Sequence, residues 1–317
     1  EFDVIEKFDT LNLYKNSDNR VSSFLTIQEG CDKFCKFCVV PYTRGPEHSR
    51  SLKEIISETK QLVEHGTKEI ILLGQNVNAY NFENYKLSDL LYALEDIKDL
   101  KRVRYTTSHP KDFTEDLIDS HSKCKKLMPL LHLPVQSGST KILKKMNRGH
   151  TLDEYLKIID RLKKKNPKLR FSSDFIIGYP EETDLDFRET IALMKHLKYI
   201  NSFSFIFSPR PGTPAANLKQ IDNQTAKKRL SKFQDLADQI KKDYRNKLVG
   251  SISTVLFENN TKEENTFFGR DEYFNSVIVK SNENLIGEIK EVKINNCNHN
   301  TLFGEIVGDL KKTGYAA

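Results

Sequence analysis

Strand-like runs alternate with helix-like runs six times between Val21 and Leu248, and this alternation limits the possible folds more than any other feature. Six strand–helix units in succession predict a parallel sheet with right-handed crossovers. Six units are too few for a full eight-fold barrel, so we expect an α/β fold built as an open or partial (β/α)6 barrel. Ligands of such sheets bind at the carboxyl ends of the strands. The six strand-like runs are "VSSFLTIQ", "EIILLG", "RVRYTT", "LLHLPV", "RFSSDFIIG" and "SFSFIFS".

The two ends of the chain differ from the middle in their sequence pattern. From Val249 onward, short β-rich runs separated by Gly and Asn predict a small five-stranded barrel of the OB type over residues 249–317. The boundary is expected near Leu248–Gly250, so the α/β domain spans residues 21–248. The polar residues 1–20 are interpreted as a linker.

Composition restricts the environment and the partners. Five cysteines, an odd number, argue against a disulfide framework and favour a reducing cytoplasm. No apolar run approaches the roughly 18 residues of a membrane span, and "EFDVIEKFDT" is not a signal peptide. The net charge is +6, yet residues 249–317 hold 7 Lys/Arg against 10 Asp/Glu. The basic charge therefore lies before Val249, on ordinary solvated helix faces or on a phosphate-facing surface.

Cys31, Cys35 and Cys38 lie within eight residues, directly after the first strand. Three thiolates can hold three irons of a [4Fe–4S] cluster and leave the fourth iron open to a chelating amino acid, which indicates S-adenosylmethionine. Electron transfer to its sulfonium would release a 5′-deoxyadenosyl radical. Two alternatives remain open: a zinc site completed by His48, and a CxxC redox pair.

The cysteine spacing, with Phe37 just before the last cysteine, resembles the radical S-adenosylmethionine superfamily. Longer segments resemble its methylthiotransferases, and among them most of all the tRNA 2-methylthio-N6-dimethylallyladenosine synthases. The similarity runs from about Ser22 to Gly308, and its last part resembles the RNA-binding TRAM domain. The segments are "EGCDKFCKFCVVPYTRG", "LLGQNVNAY", "TTSHP", "HLPVQSGS", "SSDFIIGYPEET" and "FSFIFSPRPGTPA".

The resemblance implies cofactor contacts at the strand ends. In "LLGQNVNAY", Gly74 permits a tight turn, and the amide groups of Gln75 and Asn76 are available for the methionine amino group; the alternative is an ordinary polar turn. In "HLPVQSGS", Gln136 and Ser137 are expected at the ribose, or else in a helix-start loop.

The resemblance also implies ligand contacts by three residues of other loops. Gly178 lets the backbone approach the adenine, unless it is only a strand-end glycine before a capped helix. Arg44 and Arg210 are expected to bind substrate phosphate or the cofactor carboxylate, with a solvated surface arginine as the alternative. Cys124 and Cys297 are interpreted as incidental thiols.

The chain also departs from the pattern of this family. Full-length members begin with a domain whose three cysteines hold a second [4Fe–4S] cluster, and nothing before Ser22 is long enough to be that domain. A fragment, competent for S-adenosylmethionine cleavage only, is the simplest interpretation; a naturally shortened relative is the alternative. Because the last domain is acidic, RNA recognition there is expected to use aromatic residues such as Phe267, Phe268 and Tyr273.

The resemblance implies methylthiolation at C2 of N6-isopentenyladenosine beside the tRNA anticodon. The partners it implies are the tRNA anticodon stem-loop and an electron donor such as flavodoxin or ferredoxin. A monomer without membrane association is expected. Two alternatives remain: a methylthiotransferase acting on threonylcarbamoyl-adenosine in tRNA or on a ribosomal protein aspartate, and a non-catalytic RNA-binding protein with a structural metal.

Overall fold

A computed structural model describes residues 20–310 and shows a parallel partial barrel followed by a small closed barrel. The partial barrel contains two three-stranded parallel sheets, which a parallel bridge between Val103 and Leu127 joins into one curved surface. The six predicted strands are therefore confirmed. They are β1 (Ser22–Thr26), β4 (Glu69–Leu73), β7 (Arg102–Tyr105), β8 (Leu130–His132), β9 (Arg170–Ile177) and β10 (Asn201–Ile206).

Between these strands lie two short antiparallel pairs, each made of two-residue strands, which the sequence patterns did not predict. One pairs β2 (Gln28–Glu29) with β3 (His48–Ser49), and the other pairs β5 (Asn81–Phe82) with β6 (Tyr85–Lys86). The pairing of β2 with β3 encloses the cysteine loop and fixes both of its ends.

Two of the helices start at capping residues. Thr151 and Glu154 form a reciprocal capping box, whereas at the earlier helix only the Ser51 side chain bonds, accepting from the Glu54 N–H. The helices that follow β1, β4, β7, β8, β9 and β10 are α1 (Val40–Thr43) and α2 (Leu52–Glu64), α3 (Leu87–Glu95), α4 (Glu115–Lys123), α5 (Thr140–Lys145) and α6 (Leu152–Lys165), α7 (Asp184–Leu197), and α8 (Asn223–Leu248). None of these helices, nor any other within residues 20–310, has the length and apolar composition of a membrane span.

One continuous core lies between the strands and the helices of the partial barrel. Alternation along each strand decides which residues join it: in β7, Val103 and Tyr105 face the helices, while Arg102 and Arg104 point to the opposite side. On the concave side of the sheet, β7 therefore carries two arginines.

The second barrel has the strand order β11-β12-β13-β15-β14 and is closed, as the sequence predicts for residues after Val249. Helix α8 ends at Leu248 and the first strand of this barrel begins at Ile252. The predicted linker, residues 1–20, lies outside the described residues except for Arg20. The elements are β11 (Ile252–Asn260), β12 (Thr266–Asp271), β13 (Ser276–Lys280), β14 (Ile289–Cys297), β15 (Thr301–Ile306) and α9 (Val307–Leu310).

Two arginines of β7 attach the second barrel to the first. The Arg102 guanidinium donates to the carbonyls of Arg270 and Thr254, each at 2.8 Å. Arg104 donates to the carbonyls of Asp271 and Glu272, each at 2.9 Å. The β12–β13 connection therefore packs against the concave side of the partial barrel, and the second domain has a defined position.

Candidate cofactor and metal site

The three clustered cysteines lie in the loop between β2 and α1, at the carboxyl ends of the barrel strands. All three are free thiols; Cys35 is buried, and Cys31 and Cys38 are half-buried. The Cys38 N–H donates to the Cys35 carbonyl at 2.9 Å, which closes a turn between them. Three potential thiolate ligands thus lie at the edge of the sheet where ligands of parallel sheets bind.

Their arrangement differs from that of a site for a single ion. Four ligands around one zinc ion bring sulfur atoms within about 3.8 Å of each other, and no group of three His, Cys, Asp or Glu side chains within residues 20–310 is placed to hold one ion. An iron–sulfur cluster has no such requirement, because each thiolate binds a different iron. Three free thiols in one loop are the donor set of a cluster with one open iron, and the residues present fit that group.

The pKa of the Cys31 thiol is raised to about 11, chiefly by burial and to a smaller extent by the neighbouring Glu47, Cys35 and Cys38. Burial likewise raises the pKa of Cys38. Bound iron would reverse this effect, because a thiol that coordinates a metal is deprotonated.

A buried glutamine joins the cysteine loop to the loop after β4. The Gln28 side chain donates to the Gly30 carbonyl at 2.7 Å and accepts from the backbone N–H groups of Gln75 and Asn76. A Cβ at Gly74 would lie 2.6 Å from the Gln28 Oε1, so Gly74 is required for this close approach. The Gln75 side chain accepts from the Gly30 N–H at 2.8 Å. Gln75 therefore shapes the loop with its amide oxygen.

Asn76 presents an acceptor that has no partner among the described residues. It is 2% exposed, and its Nδ2 donates to Asp112 at 2.8 Å and to Glu47 at 3.0 Å. Its Oδ1 is buried and unpaired. Lys33 completes the network with a 2.7 Å ion pair to Asp112. A buried unpaired carbonyl oxygen is costly unless a ligand or water donates to it, so Asn76 is suited to hold an amino group.

The ends of β8 and β9 place their predicted residues differently. Gln136 has a φ of +74° and bridges to Phe175 of β9, so it lies where the sheet ends. Ser137 is 1% exposed, and its hydroxyl accepts from the Ser139 N–H and contacts Thr190. The Ser137 hydroxyl is thus already hydrogen-bonded inside the fold.

Gly178 adopts a φ of +72°, and a Cβ there would lie 3.0 Å from the Ala226 Cβ. Its N–H donates to the Glu182 carboxylate at 3.2 Å. Glycine is required here by backbone conformation and by close packing against α8.

The remaining predicted residues line the rim. Phe37 is half-buried and packs against an apolar cluster that includes Met146 and Tyr179. Arg44 donates to Glu29 at 2.9 Å while half of its side chain stays exposed. Arg210 is exposed.

Two histidines near the cysteine loop were not expected at the site, although His109 belongs to the segment "TTSHP". His109 and His150 are buried and stack edge to face at 5.8 Å, and the Nε2 of each has no hydrogen-bond partner among the described residues. The pKa of His150 is lowered to about 4, chiefly by burial and then by the charge of Arg148, and burial also lowers the pKa of His109 far below its usual value. Both rings are consequently neutral near pH 7.

The expected RNA-facing aromatics are partly wrong. Phe267 is 7% exposed and belongs to the core of the second barrel, and the Tyr273 hydroxyl donates to the Lys168 carbonyl at the domain junction. Phe268 is half-exposed, as is Phe303. The side of each strand that faces solvent is decided by how the barrel closes.

Comparisons with known proteins agree with this geometry. A model of the radical SAM superfamily matches residues 25–194, and a TRAM domain model matches residues 246–307. A Pelagibacter ubique (strain HTCC1062) protein named tRNA-2-methylthio-N(6)-dimethylallyladenosine synthase is 56% identical over 318 residues, 98% of this chain and 71% of that protein. The chain belongs to this synthase family. Synthases of the same name from Ruegeria sp. (strain TM1040) and Wolbachia pipientis subsp. Culex pipiens (strain wPip) are 44% and 47% identical, over 97% and 96% of this chain and 71% of each relative.

A solved structure shares the fold of this synthase-family chain. The radical S-adenosylmethionine methyltransferase TsrM from Kitasatospora setae superposes with a TM-score of 0.53 at 15% identity, over 80% of this chain and 43% of TsrM. Membership in the radical SAM superfamily implies a [4Fe–4S] cluster and S-adenosylmethionine as cofactors.

Proposed function

We propose that this chain takes part in methylthiolation at C2 of N6-isopentenyladenosine beside the tRNA anticodon. The observation that carries the proposal is the 56% identity to a named synthase over 98% of the chain, which includes the whole cysteine loop. When bound, the cluster and S-adenosylmethionine supply reductive cleavage of the sulfonium. The residues of the chain bind and orient these groups.

We assign the cluster to Cys31, Cys35 and Cys38, with one iron open to S-adenosylmethionine. The unpaired Asn76 oxygen supports a contact with the methionine amino group. Gln136 and Gly178, at the ends of neighbouring strands, support a site for the nucleoside part. Gln75 and Ser137 have the smaller roles, since their side chains are already bonded within the fold.

For tRNA we propose contacts at the barrel mouth and on the TRAM domain. Arg44, Lys144 and Arg210 are exposed near the cysteine loop or in the loop after β10, where phosphate contacts are favoured. On the TRAM domain, a groove of about 540 Å³ includes Ile278 and Phe303 and is flanked by lysines. Glu263 and Glu305 also line this groove, so its edges carry both charges, and its apolar floor suits base stacking.

The finer parts of this function are also proposals. The chain has five cysteines, so a second cluster with three thiolate ligands would need cysteines from outside these 317 residues. A small electron carrier such as flavodoxin or ferredoxin would reduce the cluster. We place the protein in the cytoplasm as a monomer, because its proposed substrate is tRNA.

A label-transfer experiment tests the substrate without requiring sulfur insertion. The anaerobically reconstituted chain is mixed with dithionite, S-adenosylmethionine and an isopentenylated anticodon stem-loop deuterated at C2 of the modified adenosine. Deuterium is expected in 5′-deoxyadenosine, measured by mass spectrometry. Transfer only from a threonylcarbamoyl-adenosine stem-loop would move the chain to the sister activity. No cleavage by a chain that has taken up its iron would favour the non-catalytic alternative.

Matched cysteine variants test the ligand assignment. Cys35→Ala is expected to lose cluster absorbance and deoxyadenosine formation, because two thiolates hold a cluster poorly. Cys297→Ala, which changes a half-buried thiol of the TRAM domain, should retain both. Equal iron content in the two variants would contradict the assignment.

A further inference from the structure

The turn after α5 contacts the cysteine loop residue by residue. The Lys36 N–H donates to the Met146 carbonyl at 2.9 Å, and the Asn147 side chain donates to the Phe34 carbonyl at 2.9 Å. The next residue, Arg148, reaches the sulfur of Cys35, which lies between Phe34 and Lys36 in the loop. Three consecutive residues thus bind three consecutive residues, although 113 positions separate Arg148 from Cys35.

Arg148 is directed at the sulfur from a fixed position. Its Nη1 donates to the Cys35 Sγ at 3.4 Å, and its Nη2 donates to the Pro134 carbonyl at 2.7 Å. Asn147 and Gly149 on either side have positive φ values of +57° and +68°, which produce the sharp turn that points the side chain inward. The guanidinium has little freedom to move away from Cys35.

The charge of Arg148 has no carboxylate partner within residues 20–310. The residue is 6% exposed, and none of the ion pairs found in that part of the chain includes it. Its titratable neighbours include His109, His150, Cys38 and Tyr155, and its charge acts to lower the pKa of each. A buried cation is costly unless an anion lies beside it. The one group in contact with Arg148 that becomes anionic on metal binding is the Cys35 thiol.

We propose that Arg148 is a positioning residue that raises the reduction potential of the cluster bound at Cys31, Cys35 and Cys38. The inference rests on the proposed cluster assignment. An N–H···S hydrogen bond and a nearby positive charge both favour the reduced cluster, which carries one more negative charge than the oxidised cluster. Because reductive cleavage of S-adenosylmethionine begins with this electron, Arg148 would control how readily a donor reduces the enzyme.

The test compares Arg148→Gln and Arg148→Lys with Arg102→Met. The Gln variant removes the charge, and the Lys variant keeps the charge without the planar fork. Arg102→Met removes another buried arginine, one that bonds only to carbonyls of the TRAM domain. The chains are reconstituted anaerobically with iron and sulfide, and iron content and the midpoint of an EPR-monitored redox titration are measured.

The midpoint is expected to shift to more negative values in Arg148→Gln, to shift less in Arg148→Lys, and to stay unchanged in Arg102→Met. A full iron content with an unchanged midpoint in Arg148→Gln would overturn the inference. If Arg148→Gln takes up no iron, Arg148→Lys decides: a lower midpoint supports the inference and an unchanged midpoint overturns it. If both Arg148 variants lose iron while their melting temperatures equal that of the wild-type chain, Arg148 only holds the cysteine loop in place. That result would overturn its role in setting the reduction potential. If the wild-type chain takes up no iron, the cluster assignment itself fails.

Discussion

Replacing Arg104 by Met should destabilise the chain at the junction of its two domains. The guanidinium donates to the Glu69 carboxylate and to the carbonyls of Asp271 and Glu272, each at 2.9 Å. The side chain of Glu69 is completely buried, and within residues 20–310 its other oxygen accepts from Ser22 alone, at 3.2 Å. The variant therefore leaves a buried carboxylate without its cation, together with two carbonyls that lose their donor.

The expected loss follows from this geometry. Breaking a buried ion pair by removing one partner costs about 3–5 kcal/mol. An unfolding entropy of about 2.1 cal/mol/K per residue over 317 residues then predicts a melting temperature lower by about 5–7 °C. A variant with both Arg104→Met and Glu69→Gln should recover about 2 kcal/mol, since the stranded charge accounts for much of the cost.

Calorimetry of the wild-type chain, both single variants and the double variant at pH 7 measures the coupling. Arg102→Met is the control, because Arg102 hydrogen-bonds two TRAM carbonyls and makes no ion pair within residues 20–310. A loss below about 1 kcal/mol in Arg104→Met, or a double variant whose loss equals the sum of the single losses, would refute the reasoning.

Two further predictions concern acid stability and the cysteine loop. Burial lowers the pKa of His121 to about 4 from an ordinary 6.5, so the unfolded chain binds the extra proton and stability should fall as the pH drops from 6.5 to 4. At most about 3–4 kcal/mol is lost in this way. Denaturation of the metal-free His121→Gln variant should show a correspondingly smaller dependence of stability on pH; an equal dependence would exclude His121 as the cause. In Gly30→Ala, the new Cβ would lie 1.9 Å from the Pro46 carbonyl oxygen, so iron uptake should fall sharply. Gly45→Ala has the same positive φ but open space around the Cβ and should cost only about 1 kcal/mol; equal iron uptake by the two variants would contradict the steric argument.

Much of the fold could be predicted because its signals are local. Period-2 and period-3.6 patterns identify the six parallel strands and the helices after them, and capping residues such as Thr151 give helix starts directly. The close spacing of Cys31, Cys35 and Cys38 likewise brings three thiols together in any fold that places a loop there.

Tertiary structure alone decided which distant side chains meet. In the sequence, Arg148 belongs to a stretch rich in basic residues. In the structure, the turn after α5 buries it against the sulfur of Cys35, 113 residues away. Phe267 and Phe268 are chemically identical neighbours, and the closure of the TRAM barrel buries the first while leaving the second half-exposed. Local preference acts between residues a few positions apart, whereas burial and charge pairing depend on how the strands curve and on which faces pack together. For that reason the sequence indicated where the cysteines lie, and the fold determined which charge lies beside them.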